Sequence, residues 1–147
     1  MAPARARRPY SPALLAWLRL VRVFQQIDRA STDSLRPQQI SPAQLDVLAK
    51  VGISEGINQQ ELADALLVTK GNVCQLLDKM ESNALIERRP SGRLNRLFLT
   101  EKGRVIFETI VPRHDTLIGG YLGALSTSEQ RELLRLLRRV DHSLERA

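Results

Sequence analysis

The stretch from Ile57 to Arg89, I-N-Q-Q-E-L-A-D-A-L-L-V-T-K-G-N-V-C-Q-L-L-D-K-M-E-S-N-A-L-I-E-R-R, leaves this chain few ways to fold. Two short amphipathic helical patterns follow one another across a tight connection, and the second runs on into paired arginines. In the first, Leu62, Ala63 and Leu66 recur at helical spacing, so one narrow face is apolar. Asn58 is placed to cap that helix, and Glu61 completes a capping box. In the second, Thr69 is a good N-cap, and Val73, Leu76, Leu77 and Met80 fall at i, i+3, i+4 and i+7. On a helical wheel Gly71, Asn72, Gln75 and Lys79 point away from that apolar face, with Cys74 and Asp78 on its flank. A helix with so compact a polar side can enter a DNA major groove, where Asn and Gln pair bidentately with adenine. A plain helical hairpin inside a bundle has the same periodicity, so these residues alone leave both readings open.

The segment after the helical hairpin favours DNA. Leu85-Ile86-Glu87 and Leu94 to Leu99 form two short strand patterns around Pro90-Ser91-Gly92. Arg88, Arg89, Arg93 and Arg96 lie in or beside them. A basic β-hairpin directly after a recognition-type helix is the wing of a winged helix, whose arginines reach phosphates or a narrow minor groove. A solvated charge cluster is the alternative reading.

The run from Ser41 to Gly103 resembles the MarR (multiple antibiotic resistance regulator) family of bacterial transcription factors. The matching pieces are N-Q-Q-E-L-A-D-A-L-L-V-T-K-G-N-V, then L-L-D-K-M-E-S-N-A-L-I-E-R-R-P, then L-F-L-T-E-K-G. The resemblance implies a mainly α fold: a winged helix-turn-helix with a small β-hairpin wing, flanked by N- and C-terminal dimerisation helices. In residue numbers these are 41–100 for the winged helix and 11–31 and 101–147 for the dimerisation helices, all within one domain spanning 11–147. The helical-wheel reading assigns base contacts to Asn72 and Gln75, where the family often has Thr or Arg, so its sequence preference does not carry over; Thr69, Lys70 and Gly71 place the start of the helix. Arg93 stands where the family has its wing-tip arginine, and Ser91 replaces the acid that usually accompanies it. Arg88, Arg89 and Arg96 are assigned to phosphates. Many members of the family release DNA when a small phenolic or other lipophilic anion binds between the dimer helices and the winged helix. Tyr10, Trp17, Arg22, Phe24, Arg113 and His114 are the candidate lining, although core packing equally accounts for Trp17 and Phe24.

The flanking segments fit a dimer. Residues 1–10 form a basic arm, with Arg5, Arg7 and Arg8 and no acid. From Ser11 to about Ala30, Leu14, Leu15, Leu18, Val21, Phe24 and Ile27 recur at helical spacing, and Trp17, Leu20 and Val23 widen the stripe. A polar loop from Ser31 to Gln39 comes next, then a short helix opened by Ser41-Pro42-Ala43-Gln44 and stopped by Gly52. Thr100 opens a long helix in which Pro112 kinks the axis or begins a new turn. Ser126 to Glu129 is a further capping box, before a last helix carrying Leu133, Leu134, Leu136, Leu137, Val140 and Leu144. A winged helix cannot cover so much apolar surface, so a second copy of the chain is the expected partner. Isologous pairing presents two recognition helices to half-sites of a roughly palindromic operator.

Composition narrows the remaining choices. The 147 residues carry 22 Lys and Arg against 16 acids, a net charge of +6 that suits a polyanionic partner. A single cysteine, Cys74, excludes a disulfide framework and a Cys-rich zinc site. It is either a redox-sensitive thiol in the recognition helix or a small half-buried residue. His114 and His142 come without a metal-binding, phosphate-loop or nucleophile-elbow motif, so neither an enzyme nor a cofactor is expected. No apolar run approaches the roughly 20 residues of a membrane span, and no secretory signal is read at the N-terminus. The expectation is a cytoplasmic, sequence-specific regulator, most simply a repressor. A non-specific nucleoid-type DNA binder, or a winged helix used for protein contacts, is the alternative.

Overall fold

The computed structural model of this chain describes residues 9–66 and 70–147, with the side chains of Lys70 and Gly71 outside the description. Among the described residues, six α-helices and one hairpin follow in the order α1 (Pro12–Leu35), α2 (Pro42–Ile53), α3 (Gln59–Ala65), α4 (Lys70–Ser82), β1 (Ile86–Ser91), β2 (Leu94–Leu99), α5 (Glu101–Tyr121) and α6 (Thr127–Glu145). The 3-10 turn Arg36–Gln38 joins α1 to α2.

The helix starts form where side chains satisfy the free amide donors of the first turn. Ser41 with Gln44, Asn58 with Glu61 and Ser126 with Glu129 make reciprocal capping boxes. Thr100 accepts from the amide of Gly103 at 3.0 Å. Each such cap stabilises its helix by about 1 kcal/mol. The cap read at Thr69 lies outside the described residues.

One core holds α2, α3, α4 and the hairpin. Leu45, Val47, Leu48 and Val51 of α2 pack with Leu62 of α3, Val73, Leu77 and Met80 of α4, and Ile86, Leu97 and Leu99 of the strands. The connection from α4 to β1 is a Schellman turn. Ala84 takes the left-handed conformation at φ 56°, its amide donates to the Glu81 carbonyl at 3.0 Å, and the Leu85 amide donates to that of Met80 at 2.9 Å. The strands pair antiparallel from Ile86↔Leu99 to Ser91↔Leu94. On the other side of β2, the Gly56 amide donates to the Leu97 carbonyl, and the Leu97 amide to the Ile57 carbonyl, both at 2.9 Å.

Several boundaries differ from the sequence reading. Residues 31–35, read as the start of a loop, continue α1, because two of them face inward. Leu35 is buried in the core, and the buried Ser31 hydroxyl lies 2.6 Å from Nε2 of His114 on α5. Gly52 does not stop α2; it lies inside the helix against the Phe107 ring, which fills the space a Cβ would need. β1 runs through Pro90 and Ser91, and the turn is the pair Gly92-Arg93. Gly92 sits at φ 63° in the first central position, where a two-residue hairpin turn favours glycine. A two-stranded sheet leaves Pro90 on an edge, where its missing amide is tolerated. Pro112 lies within α5 and begins no new helix.

The flanking helices are thinly covered by their own chain. Within α1 only Ser31 and Leu35 are buried, and α6 has no buried residue. Leu15, Trp17, Leu18 and Phe24 of α1 are more than half exposed, as are Val140 and Leu144 of α6.

The two tightly packed glycines separate a yielding neighbour from a rigid one. A Cβ on Gly103 would collide with the Leu85 carbonyl oxygen, whereas a Cβ on Gly52 would meet only a side-chain ring. Thermal unfolding should show Gly103→Ala destabilised by about 1–3 kcal/mol, since backbone must shift. Gly52→Ala should cost less, because the half-buried Phe107 ring can rotate away. Equal losses, or a larger one at Gly52, would contradict this account of the α5 packing.

Candidate nucleic-acid interface

Burial of one stripe of α4 decides what the opposite stripe offers. Val73, Leu77 and Met80 are fully buried, and Leu76 is half-buried. The 3.6-residue period therefore turns Asn72, Gln75 and Lys79 to solvent, all three exposed. Their amide and ammonium groups line one accessible face, suited to base edges and phosphates. Lys70 is the first residue of the helix. Thr69 and the side chains of Lys70 and Gly71 lie outside the described residues, so their assigned contacts have no geometry here.

The hairpin stands beside α4 and carries its arginines to three different surroundings. Arg93 occupies the tip with Gly92; it is exposed and makes no hydrogen bond or ion pair with a described residue. Arg89 lies 4.0 Å from the centroid of the Phe98 ring and pairs with Glu87, keeping more than half of its side chain exposed. Arg96 donates from Nη1 to the Gly56 carbonyl at 2.9 Å, tying β2 to the segment before α3.

Arg88 departs from the outward role assigned to it. It pairs with Asp78 at 2.7 Å and lies 3.7 Å from Glu81, with only 19% of its side chain exposed. Strand alternation is the cause: Arg88 shares a face with Ile86, which is buried against the core, whereas Glu87 and Arg89 take the other face. The signal was present in the sequence as acids three residues apart on α4 and an arginine two residues past the first inward position. Which face met which helix required the fold.

A cleft of about 280 Å³ opens between α3, α4 and the wing tip, with Gln59, Cys74, Arg93 and Asn95 on its walls. Cys74 is exposed, not half-buried, and Nε2 of Gln59 donates to its sulfur at 2.9 Å.

The effector candidates fall in two places. Arg113 and His114 line a cleft of about 230 Å³ with Leu35, Ile110 and Leu117, where the end of α1 meets α5. Partial desolvation holds the nearby Asp46 carboxyl above its ordinary range, opposed by the charges of Lys50 and His114. Trp17 and Phe24 instead share an exposed apolar patch with Leu20 and Val21 on α1. Tyr10 precedes that helix, 68% exposed, and Arg22 is exposed on it. Within one chain these residues do not form a single pocket. Among the described residues there is no group of three or more His, Cys, Asp or Glu placed to hold a metal, and no helix long and apolar enough to cross a membrane.

Comparison with known proteins agrees with this geometry. The MarR family model matches residues 38–93, from the end of the 3-10 turn before α2 to the wing tip. The transcriptional regulator HosA of Escherichia coli is 30% identical over 104 residues, covering 69% of this chain and 77% of that protein. The HTH-type transcriptional repressor MdtR of Bacillus subtilis is 27% identical over 131 residues, covering 87% and 84% of the two chains. Among solved structures, a mutant MarR from Escherichia coli complexed with operator DNA superposes with a TM-score of 0.76 at 28% identity, covering 90% of this chain and 99% of that one. These relatives are transcriptional regulators. The chain belongs to the MarR family of winged-helix, DNA-binding transcription regulators.

Proposed function

We propose that the protein is a homodimeric repressor that binds a roughly palindromic operator and is released from it by a small aromatic or lipophilic effector. The observation that carries this reading is the contrast between two surfaces of one chain. The polar face of α4 stands open beside the tip arginine, while most of the large apolar side chains of α1 and α6 are exposed. A second copy covering α1 and α6 buries that apolar surface and sets two α4 helices side by side for half-sites about 34–36 Å apart. The repressor role draws on the name of MdtR, and the operator on the complex of MarR with its DNA.

In this reading Asn72 and Gln75 read bases, Lys70 and Thr69 place the helix, and Arg93 reaches the groove beside it. Arg89 and Arg96 add phosphate contacts at the edges of the wing. An effector held by Arg113 and His114, between the end of α1 and α5, favours a spacing of the two α4 helices that misses the half-sites.

The first test selects a duplex from a randomised pool with wild-type protein and compares it with a scrambled duplex by fluorescence anisotropy. Arg93→Ala should weaken binding to both and lower the slope of log K against log salt by about 0.9 for each phosphate the dimer no longer neutralises. Gln75→Ala should narrow the preference for the selected duplex by about 1–3 kcal/mol per half-site. Failure to enrich any sequence would point instead to a charge-driven, non-specific binder.

Dimerisation is tested separately. Leu137→Glu with Val140→Glu should yield monomers in analytical ultracentrifugation and lower affinity for the selected duplex about 100-fold or more. A variant that stays dimeric would move the interface away from α6.

For the effector, a panel of aromatic acids is added to the protein–duplex complex. Arg113→Ala should leave the starting affinity near wild type and blunt release by whichever acid is active. Indifference of the wild-type complex to the whole panel would count against an aromatic-acid effector.

A further inference from the structure

Arg88 is the one wing arginine whose side chain turns into the protein, and it makes three separate connections to α4. Nη1 donates to Oδ1 of Asp78 at 2.7 Å, and Nη2 donates to the carbonyl of Cys74 at 3.4 Å. The main-chain amide of Arg88 donates to Oε2 of Glu81 at 3.0 Å, and Oε1 of the same carboxylate lies 3.7 Å from Nη1. Cys74, Asp78 and Glu81 are four and three residues apart, so they form one stripe along the flank of α4. The guanidinium is mostly covered, and its Nε is buried without a partner among the described residues.

From this geometry we infer that Arg88 is a positioning residue, a latch that holds the wing against the recognition helix so that both meet one duplex in fixed relation. The inference rests on the DNA-binding roles given above to α4 and Arg93. A contact to phosphate would require Arg88 to leave two carboxylates and a carbonyl and to cross to the outer side of the strand. In place, it also offsets the charges of Asp78 and Glu81, which otherwise stand unopposed on the flank of a helix that approaches phosphates. A planar fork with several donors suits such a site; an ammonium on the same strand keeps the charge but cannot span all of these acceptors.

Asp78→Asn separates the two roles because they predict opposite signs. With Asp78 as a latch partner, the change to Asn should weaken binding to the selected duplex by about two- to fivefold. It should also speed amide hydrogen exchange in β1 and β2 of the free protein. If Arg88 served phosphates, removing the acid would leave exchange unchanged and hold or tighten binding. Arg88→Gln should lose about tenfold on the selected duplex and less on the scrambled one, with the wing again exchanging faster before any DNA is added. Arg88→Lys should recover little of this, and Arg93→Ala should leave wing exchange as in the wild type. Unaltered wing exchange in Asp78→Asn and Arg88→Gln, together with full rescue by Arg88→Lys, would overturn the latch. Absence of any sequence enriched by the wild-type protein would instead sink the operator-specific reading, while the exchange measurements would still decide what holds the wing.

Discussion

The arrangement hangs on a crossing of main chains at Leu85. The Schellman turn that ends α4 delivers Leu85 to the start of the hairpin, and its carbonyl then accepts the amide of Thr100 at 3.2 Å. The Thr100 hydroxyl bonds the neighbouring Ala84 carbonyl at 2.5 Å, and Lys102 reaches that of Asn83 at 3.2 Å. Close approach is possible because Gly103 has no Cβ to collide with Leu85. The recognition helix, the wing and the long helix α5 are thereby fixed to one another within three residues. Through these bonds α5 is joined directly to the base of α4 and the wing, which is the link that the proposed effector response would use.

The two ends of the chain pose the complementary problem. Their helices are amphipathic, yet the apolar side of α6 and most of that of α1 are left largely exposed by their own chain. Water contact with Leu, Val, Trp and Phe side chains costs roughly 25 cal/mol per Å² relative to burial, and patches of this kind mark association surfaces. A DNA-binding unit whose two copies must be held at a fixed spacing is well served by separating the tasks. In the proposed dimer, one small core makes the reading head and the helices at both termini are left for pairing.

Much of this was legible from side-chain pattern alone. Capping pairs such as Asn58 and Glu61 act within a single turn of helix, so sequence spacing suffices to find them. The apolar stripe of α4 likewise fixed which side Asn72 and Gln75 would occupy, because burial of Val73, Leu77 and Met80 and the helical period permit only one answer. The misread places share a physical cause: the deciding partner lies far away in sequence. Ser31 and Leu35 continue α1 because of His114 and the core, Gly52 is small because of Phe107, and Arg88 turns inward because of Asp78 and Glu81.

Local chemistry written in the order of residues therefore settled the helix starts, the exposed face of α4 and the apolar excess at the termini. Those depend on short-range geometry and on a periodicity that any helix must obey. Tertiary structure alone decided which arginine of the wing turns inward, how far α1 extends, and that the proposed effector lining divides between a cleft on α5 and an open face of α1. Charge and size say what a side chain is able to do; its neighbours across the fold determine which of those things it does.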